Sequence, residues 1–567
     1  MELSSVLHMA NRRFAYAIDK NTFVIRIKVK KNDLKGIILH YQDKYIRVSH
    51  IDTRSIINMD IYASDKFYDY YECIINIDLV CLRYYFELLG VDGNIYYYGN
   101  NRFFKDKING IEFMFDLPQA LREEEMFKLP LWAKNKIVYQ IFPSRYATTK
   151  DIDEKIWYQA PIKYDTNLQG NIRGIINHLD HIKDLGVDII YLTPIFKALS
   201  THKYNISNYY LIDPDFGTID DLKELVNKCH SMDIKVMLDG VFNHTGNDFF
   251  AFMDVIENEV NSKYNNWYYI NDFPITYGNN KKPNYKTFAY YHGMPKLNHQ
   301  NKEVRDYFIN VAKYWVKECD IDGYRLDVAD EVSHTFWQEF RKELKSIKED
   351  LLIVGEVWHF SEDFLDGNEW DTIMNYDFYF SVRELLVNKS ISVSDFYYEL
   401  ESLRGNSHKL LYPYLWNLLD SHDTERFYHT CGYDKKIFKL AIGLQMLLEG
   451  MPFIYYGDEY GMKGGFDPDC RRGMYWDSKY QDLEIYSWYK KLISIRKNYP
   501  NILGKTISFS SLDDKRILII EKSDFVIIFN FSDEDYKIDR FNNMFDILND
   551  EKIDNFIKSY NLKVLKK

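Results

Sequence analysis

Through about residue 125, apolar and polar positions alternate in short runs: Phe23–Val29 (FVIRIKV), Gly36–Tyr41 (GIILHY), Tyr71–Leu79 (YECIINIDL) and Leu82–Leu89. Successive side chains of a strand point to opposite faces, so a period of two over such short runs predicts an antiparallel β-sandwich. From about residue 137 the texture changes, and apolar runs alternate with helical ones. Ile137–Phe142 precedes a predicted helix over Ile172–Leu185. Val187–Leu192 precedes another over Ile219–Met232, where Thr218 suits an N-cap and Asp220 and Asp221 complement the positive helix end. Such alternation predicts a parallel sheet closing into a barrel. The segment from about 245 to 300, which contains PNYKTFAYYHG, interrupts the pattern and reads as an insertion after the third barrel strand. The amphipathic run Val304–Lys317 and the strand Gly323–Asp327 resume it, and Pro452–Tyr456 reads as the last barrel strand. From about 505, short alternating runs return (Ile517–Ile520, Phe525–Phe529). The expected fold is therefore multidomain: an N-terminal antiparallel β-sandwich over 1–125, a central (β/α)8 TIM barrel over 126–504 with an inserted domain at about 245–300, and a C-terminal β-sandwich domain over 505–567.

Composition narrows the partners. The 567 residues carry a formal net charge of -12, which argues against non-specific attraction to nucleic acid or to an anionic membrane. The apolar fraction, 46%, is ample for large cores. Aromatics reach 17%, which fits stacking on the apolar faces of sugar rings; a codon bias that also favours Lys, Asn and Ile accounts for it equally well. Cys73, Cys81, Cys229, Cys319, Cys431 and Cys470 are scattered, with no CxxC pair or zinc spacing, as expected of free thiols in a reducing compartment. The opening MELSSVLHMANRRFAYAID lacks the basic and apolar regions of a secretory signal, and no run is long and apolar enough for a membrane span. A soluble cytoplasmic protein is expected.

The candidate chemistry lies where apolar runs end in acids: Ile234–Asp239 (IKVMLD), Ile321–Asp327 (IDGYRLD), Leu351–Glu356 (LLIVGE) and Tyr414–Asp423 (YLWNLLDSHD). In a parallel barrel every strand C-terminus opens onto one face, so these acids gather on one rim. A carboxylate cluster there suits cleavage of a glycosidic bond, in which one acid attacks and another donates a proton. Arg325, two residues before Asp327 on an extended strand, shares its face and is expected to lower its pKa. The apolar run before Glu356 is expected to raise that carboxyl's pKa. Retaining chemistry calls for a separation of about 5–5.5 Å between the two carboxyls.

These motifs resemble a known family. Asp239–His244 (DGVFNH), Gly323–Asp327 (GYRLD), Gly355–Trp358 (GEVW) and Leu419–Asp423 (LDSHD) resemble, in order, the four signature regions of the α-amylase family, glycoside hydrolase family 13. Met294–Asn298 (MPKLN) and Gly464–Trp476 (GGFDPDCRRGMYW) resemble its neopullulanase, cyclomaltodextrinase and maltogenic amylase subgroup, and the resemblance covers nearly the whole chain. It implies that Asp327 is the nucleophile, Glu356 the general acid/base and Asp423 a third carboxylate binding sugar hydroxyls. It also implies that His244 and His422 hydrogen-bond the same sugar, that Tyr204 stacks on it, and that Asp467 and Arg471 close the glycone side. The resemblance further implies that Asp239 and Asn243 organise the site, Asp239 by supporting Arg325. Trp358 reads either as an aglycone-side platform or as a core tryptophan.

Three departures stand out. Asn205 replaces the usual Asp, weakening a salt bridge or a substrate contact. Asp330 precedes Glu331 where the subgroup has Asn-Glu, an extra charge expected to alter the balance between water and sugar as acceptor. The loop Tyr146–Asp153 lacks the asparagines with which relatives bind Ca²⁺ and carries Lys150, so that calcium site is expected to be lost or weak and no other metal or cofactor is implied.

By resemblance the chain is expected to be a retaining α-glucan hydrolase cutting α-1,4 bonds of cyclodextrins, maltooligosaccharides and pullulan, with possible transfer to sugar acceptors. Its N-terminal sandwich resembles a starch-binding module and implies a homodimer. The alternatives are a catalytically silent amylase-like binding or scaffold protein, against which the three retained carboxylates argue, and a glucanotransferase of the same family.

Overall fold

The computed structural model describes residues 1–45, 55–77, 81–117, 126–277, 282–359, 362–542, 544–553 and 555–567. Residues 78 and 79 of the expected strand Tyr71–Leu79, and the expected boundary residue 125, lie outside them. The chain divides into two units, one of Met1–Lys128 with Leu365–Asn368 and Ser394–Tyr412, the other of Leu129–Phe364, Glu369–Val393 and Pro413–Lys567.

The first unit is built on a nine-stranded antiparallel sheet whose halves share one core. Four of its five long strands, Thr22–Lys30, Leu34–Asp43, Tyr68–Asn76 and Leu82–Gly90, are those the alternation predicts. Phe23, Ile25 and Ile27 from one half meet Leu39, Tyr84, Phe86 and Leu88 from the other. The strand Ser55–Ser64 joins the halves, pairing with Leu34–Asp43 through its first part and with Tyr68–Asn76 through its second. Its periodicity is weak because only Met59 and Ala63 of its side chains are buried.

The second unit centres on a closed parallel barrel of eight strands: Val138–Ile141, Ile189–Leu192, Lys235–Gly240, Gly323–Leu326, Leu352–Gly355, Thr372–Asn375, Trp416–Leu418 and Met451–Tyr455. First and last strands pair, Val138 with Phe453. Nearly every strand residue is buried, as expected where helices cover one face and barrel side chains the other. The sixth strand escapes sequence reading: its run of four begins with Thr372 and ends with Asn375. Both polar side chains are satisfied inside the barrel, Thr372 Oγ1 by the Tyr414 carbonyl and Asn375 Nδ2 by Asn417 Oδ1.

The helices follow the pattern with one correction. Ile219–Ser231 starts at Thr218 with a complete capping box to Asp221. The expected single helix over 172–185 is two, Ile172–Asn177 and Leu179–Leu185, because His178 leaves helical geometry and its Nδ1 bonds the Gly174 carbonyl. After the third barrel strand, a long connection carries the helix Phe250–Asn258 and isolated bridges, including His244 with Lys296 and Thr287 with Pro295, before the helix Lys302–Cys319. The C-terminal domain is a six-stranded antiparallel sheet, centred on Ile517–Glu521, Phe525–Asn530 and Asn561–Lys566, with the two-stranded pair Tyr536–Lys537 and Phe556–Ile557. All six cysteines are free and buried, and no described helix is long and apolar enough to cross a membrane.

Candidate active site

Barrel register places the acids. Asp239 on the third strand stands beside Arg325 on the fourth, and Arg325 beside Val354 on the fifth. Asp327 and Glu356 therefore emerge just past adjacent strand ends. Gly355 lets the chain reach this point, since a Cβ there would lie 2.4 Å from the Trp370 ring.

Arg325, fully buried, is the hub. Its Nη1 donates to Asp327 Oδ1 at 2.8 Å and to Asp239 Oδ2 at 3.1 Å. Its Nη2 lies 2.8 Å from Glu356 Oε2, an ion pair off the hydrogen-bond angle, and 3.9 Å from Asp423 Oδ2. One guanidinium thus lies within 2.8 Å of the carboxyls of both Asp327 and Glu356. A second bond orients Glu356: the Val328 N–H donates to its Oε2 at 2.9 Å. Val328 adopts φ +46°, a costly conformation for a β-branched residue, stored directly after Asp327.

Electrostatics correct one expectation. Burial pushes Asp327 well above the usual carboxylate range; Arg325 pulls it back only in part, and the neighbouring carboxyls add to the rise. Burial likewise raises Asp239 to about 6 and Asp423 to about 7. The surroundings of Glu356 are not apolar, because a guanidinium and a backbone N–H occupy its carboxyl face. Asp239, Asp327 and Asp423, buried around one guanidinium, cannot all ionise cheaply, so they retain protons toward neutral pH.

The other expected residues line the same rim. His422, on the segment after the seventh strand, meets Gln140 Nε2 through Nδ1 at 2.7 Å, and its Nε2 lies 3.2 Å from Asp423 Oδ2. The Tyr204 ring lies edge to edge with His422 in a nearly parallel plane, centroids 5.4 Å apart, and its hydroxyl donates to Asp239 Oδ2 at 3.0 Å. The buried His244 stacks on Phe288, and its Nε2 has no partner, an open polar atom of the kind a ligand hydroxyl would meet. Burial lowers His244 to about 3 and His422 well below the normal range, so both rings are neutral. Arg471 reaches Asp467 Oδ1 at 3.0 Å and Asp423 Oδ1 at 3.4 Å, and its Nε donates to the His422 carbonyl at 2.8 Å. Trp358 is 41% exposed and stacks on Tyr376 at 4.6 Å, which makes it a rim platform and corrects the core alternative.

Asn243 is buried and accepts from Lys296 Nζ at 2.8 Å; the same ammonium reaches Glu331 at 2.6 Å. Asn205 bonds Ser200, and the adjacent Lys203 pairs instead with Asp213 at 2.7 Å. Gln140, Tyr191 and Tyr376 complete the setting and were not singled out by sequence. Only Gln140 carried a signal, a lone amide inside an apolar barrel strand.

In the loop Tyr146–Asp153 two side chains are committed to the protein itself. Thr148 Oγ1 donates to the Gln169 carbonyl and Asp153 caps the turn Glu154–Trp157. Among the described residues no group of three or more His, Cys, Asp or Glu is placed to hold a metal.

Comparison with known proteins agrees with this arrangement. Residues 140–484 match the family described as "Alpha amylase, catalytic domain", and residues 1–120 match "Alpha amylase, N-terminal ig-like domain". A "Maltogenic alpha-amylase" of Bacillus acidopullulyticus is 40% identical over 505 residues, covering 88% of this chain and 85% of the relative. "Neopullulanase 2" of Thermoactinomyces vulgaris is 39% identical, covering 88% and 86%. A solved structure named "Cyclomaltodextrinase" superposes with a TM-score of 0.93 at 33% identity, covering all of both chains.

Proposed function

The chain belongs to the α-amylase family as a glycoside hydrolase of the cyclomaltodextrinase, neopullulanase and maltogenic amylase type, and from that premise we propose its substrates and its division of labour. It cleaves α-1,4 bonds of cyclodextrins, maltooligosaccharides and pullulan with retention of configuration. An ionised Asp327 oxygen attacks the anomeric carbon while Glu356 protonates the departing glycosidic oxygen. Glu356, now a base, then takes a proton from water or from a sugar hydroxyl as that oxygen displaces Asp327. Asp423 accepts hydrogen bonds from sugar hydroxyls beside His422, the open Nε2 of His244 meets another, and Asp467 with Arg471 bounds the glycone side. Trp358 offers an aglycone platform. The observation that carries this reading is the single guanidinium of Arg325 lying against the carboxyls of both Asp327 and Glu356.

We further propose a cytoplasmic, homodimeric enzyme without a calcium requirement. Six free buried thiols support a reducing compartment, and the internally committed loop Tyr146–Asp153 supports the last point.

Initial rates on β-cyclodextrin, pullulan and starch, with product anomers followed by NMR, test the assignment. The expected result is faster turnover of cyclodextrin than starch, with the α-anomer formed first. Asp327→Asn should lower kcat by more than about 10⁴-fold and Glu356→Gln by about 10²–10⁴-fold. Full turnover in either variant sinks the mechanism; equal rates on starch and cyclodextrin sink the substrate preference alone.

A further inference from the structure

Gln140 lies on the first barrel strand, fully buried, with its carbonyl accepting from the Tyr456 N–H at 3.0 Å. Its side-chain Nε2 stands 2.7 Å from His422 Nδ1, while its Oε1 is buried without a partner. Which way this amide points, and which ring nitrogen of His422 carries the proton, follows from counting hydrogens through the neighbouring groups.

The count starts at Asp239. Its Oδ2 receives the Tyr191 hydroxyl at 2.5 Å and the Tyr204 hydroxyl at 3.0 Å, and Arg325 Nη1 lies 3.1 Å away. Tyr204 has one hydroxyl proton, and Asp239 takes it. The Tyr204 oxygen then offers only lone pairs to His422 Nε2, which lies 2.5 Å away. The other close group at Nε2 is Asp423 at 3.2 Å, which once ionised, above about pH 7, is also an acceptor. Two acceptors face Nε2, so Nε2 carries the proton. The ring is neutral, leaving a lone pair on Nδ1 that requires a donor. Gln140 is the group in place to supply it.

We propose that Gln140 is a positioning residue that holds His422 in the Nε2–H tautomer and so fixes its role as a hydrogen-bond donor toward the sugar. This deepens the hydrolase reading and rests on it for the identity of the sugar. The amide could gain a partner for Oε1 only by turning over, which would set Oε1 against the Nδ1 lone pair or draw the proton to Nδ1. Either outcome removes the donor from Nε2. With the proton on Nε2, His422 and Asp423 form a donor and an acceptor side by side: a hydroxyl can accept from one and donate to the other. The Tyr204 oxygen accepts from this donor where a sugar hydroxyl would, and its ring lies edge to edge with the imidazole in a nearly parallel plane. The tautomer is thus set from two directions, by Asp239 through Tyr204 on one side of the ring and by Gln140 on the other.

The test begins with the wild-type protein labelled with ¹⁵N-histidine and the His422 signals assigned by their loss in His422→Ala. The expected spectrum at pH 8, where Asp239 and Asp423 are ionised, is a neutral ring protonated at Nε2 and bare at Nδ1. A proton on Nδ1 overturns the proposal. Gln140→Leu, which keeps the bulk and removes the donor, should lower kcat/KM for β-cyclodextrin about 10- to 100-fold. In a His422→Ala background the same change should cost less than about twofold, because the residue acts through the ring. An equal loss in both backgrounds overturns the proposal, and if Gln140→Leu does not fold, the wild-type spectrum decides. Absence of α-glucan turnover in the wild type would defeat the hydrolase reading while the spectrum still reports the tautomer.

Discussion

The carboxyl cluster shows how chemistry and stability oppose one another at single residues. Asp423, with a folded pKa of about 7 against an ordinary 3.8, binds its proton more tightly in the folded than in the unfolded chain. Its effect on stability is nil below about pH 4, where both states are protonated. It grows unfavourable as pH rises from about 4 to about 7 and is fully unfavourable above. Asp423→Asn should therefore stabilise the protein by about 1–3 kcal/mol above neutrality, a gain that disappears toward pH 4. Arg325 and Arg471 keep other carboxylate partners in that variant, so no buried cation is stranded. Melting curves of both forms at pH 5 and pH 8 check it, and a gap that does not widen at pH 8 counts against the raised pKa. The identities of these acids were legible from their places after apolar runs. Their protonation was not, because Arg325 beside Asp327 suggests a lowered pKa while burial, which no spacing records, outweighs it. Gln140 was similarly silent, since its meaning comes from a histidine 282 positions away.

Among the elements, strands and helices with a strong period were readable and those satisfied by tertiary contacts were not. The third barrel strand, the helix over 219–231 and the acid past the end of the fifth strand follow from local pattern. The sixth strand and the split at His178 depend on partners distant in sequence or on one side-chain bond to a carbonyl. The helix Ile219–Ser231 offers a clean local test. Thr218 Oγ1 accepts from the Asp221 N–H, and Asp221 Oδ2 accepts from the Thr218 N–H at 2.8 Å. Thr218→Ala should cost about 1 kcal/mol at this helix end. Hydrogen exchange over the first turn should quicken roughly fivefold, while kcat on β-cyclodextrin stays unchanged, because no site residue lies on this helix.

At the scale of the whole molecule, the proposed homodimer is a matter of exposed surface. The N-terminal sandwich leaves Tyr45, Ile56 and Phe67 each more than 60% exposed, with Ile61 and Ile74 nearly half exposed. Single apolar side chains on a surface are ordinary, but several on one small sheet domain mark a candidate contact. The net charge of -12 works the other way: like chains repel at low ionic strength, and screening shortens that repulsion to about 10 Å at 0.1 M salt. Association held by apolar side chains should therefore strengthen from low to moderate salt. Sedimentation velocity across protein concentration and salt should give a species of twice the chain mass, favoured at 0.1 M over 0.01 M. Ile56→Lys with Phe67→Lys should shift it toward the monomer without lowering the melting temperature of the barrel. A single chain at every concentration would remove the dimer and leave the active-site reading intact, since every residue in that reading belongs to the unit that holds the barrel.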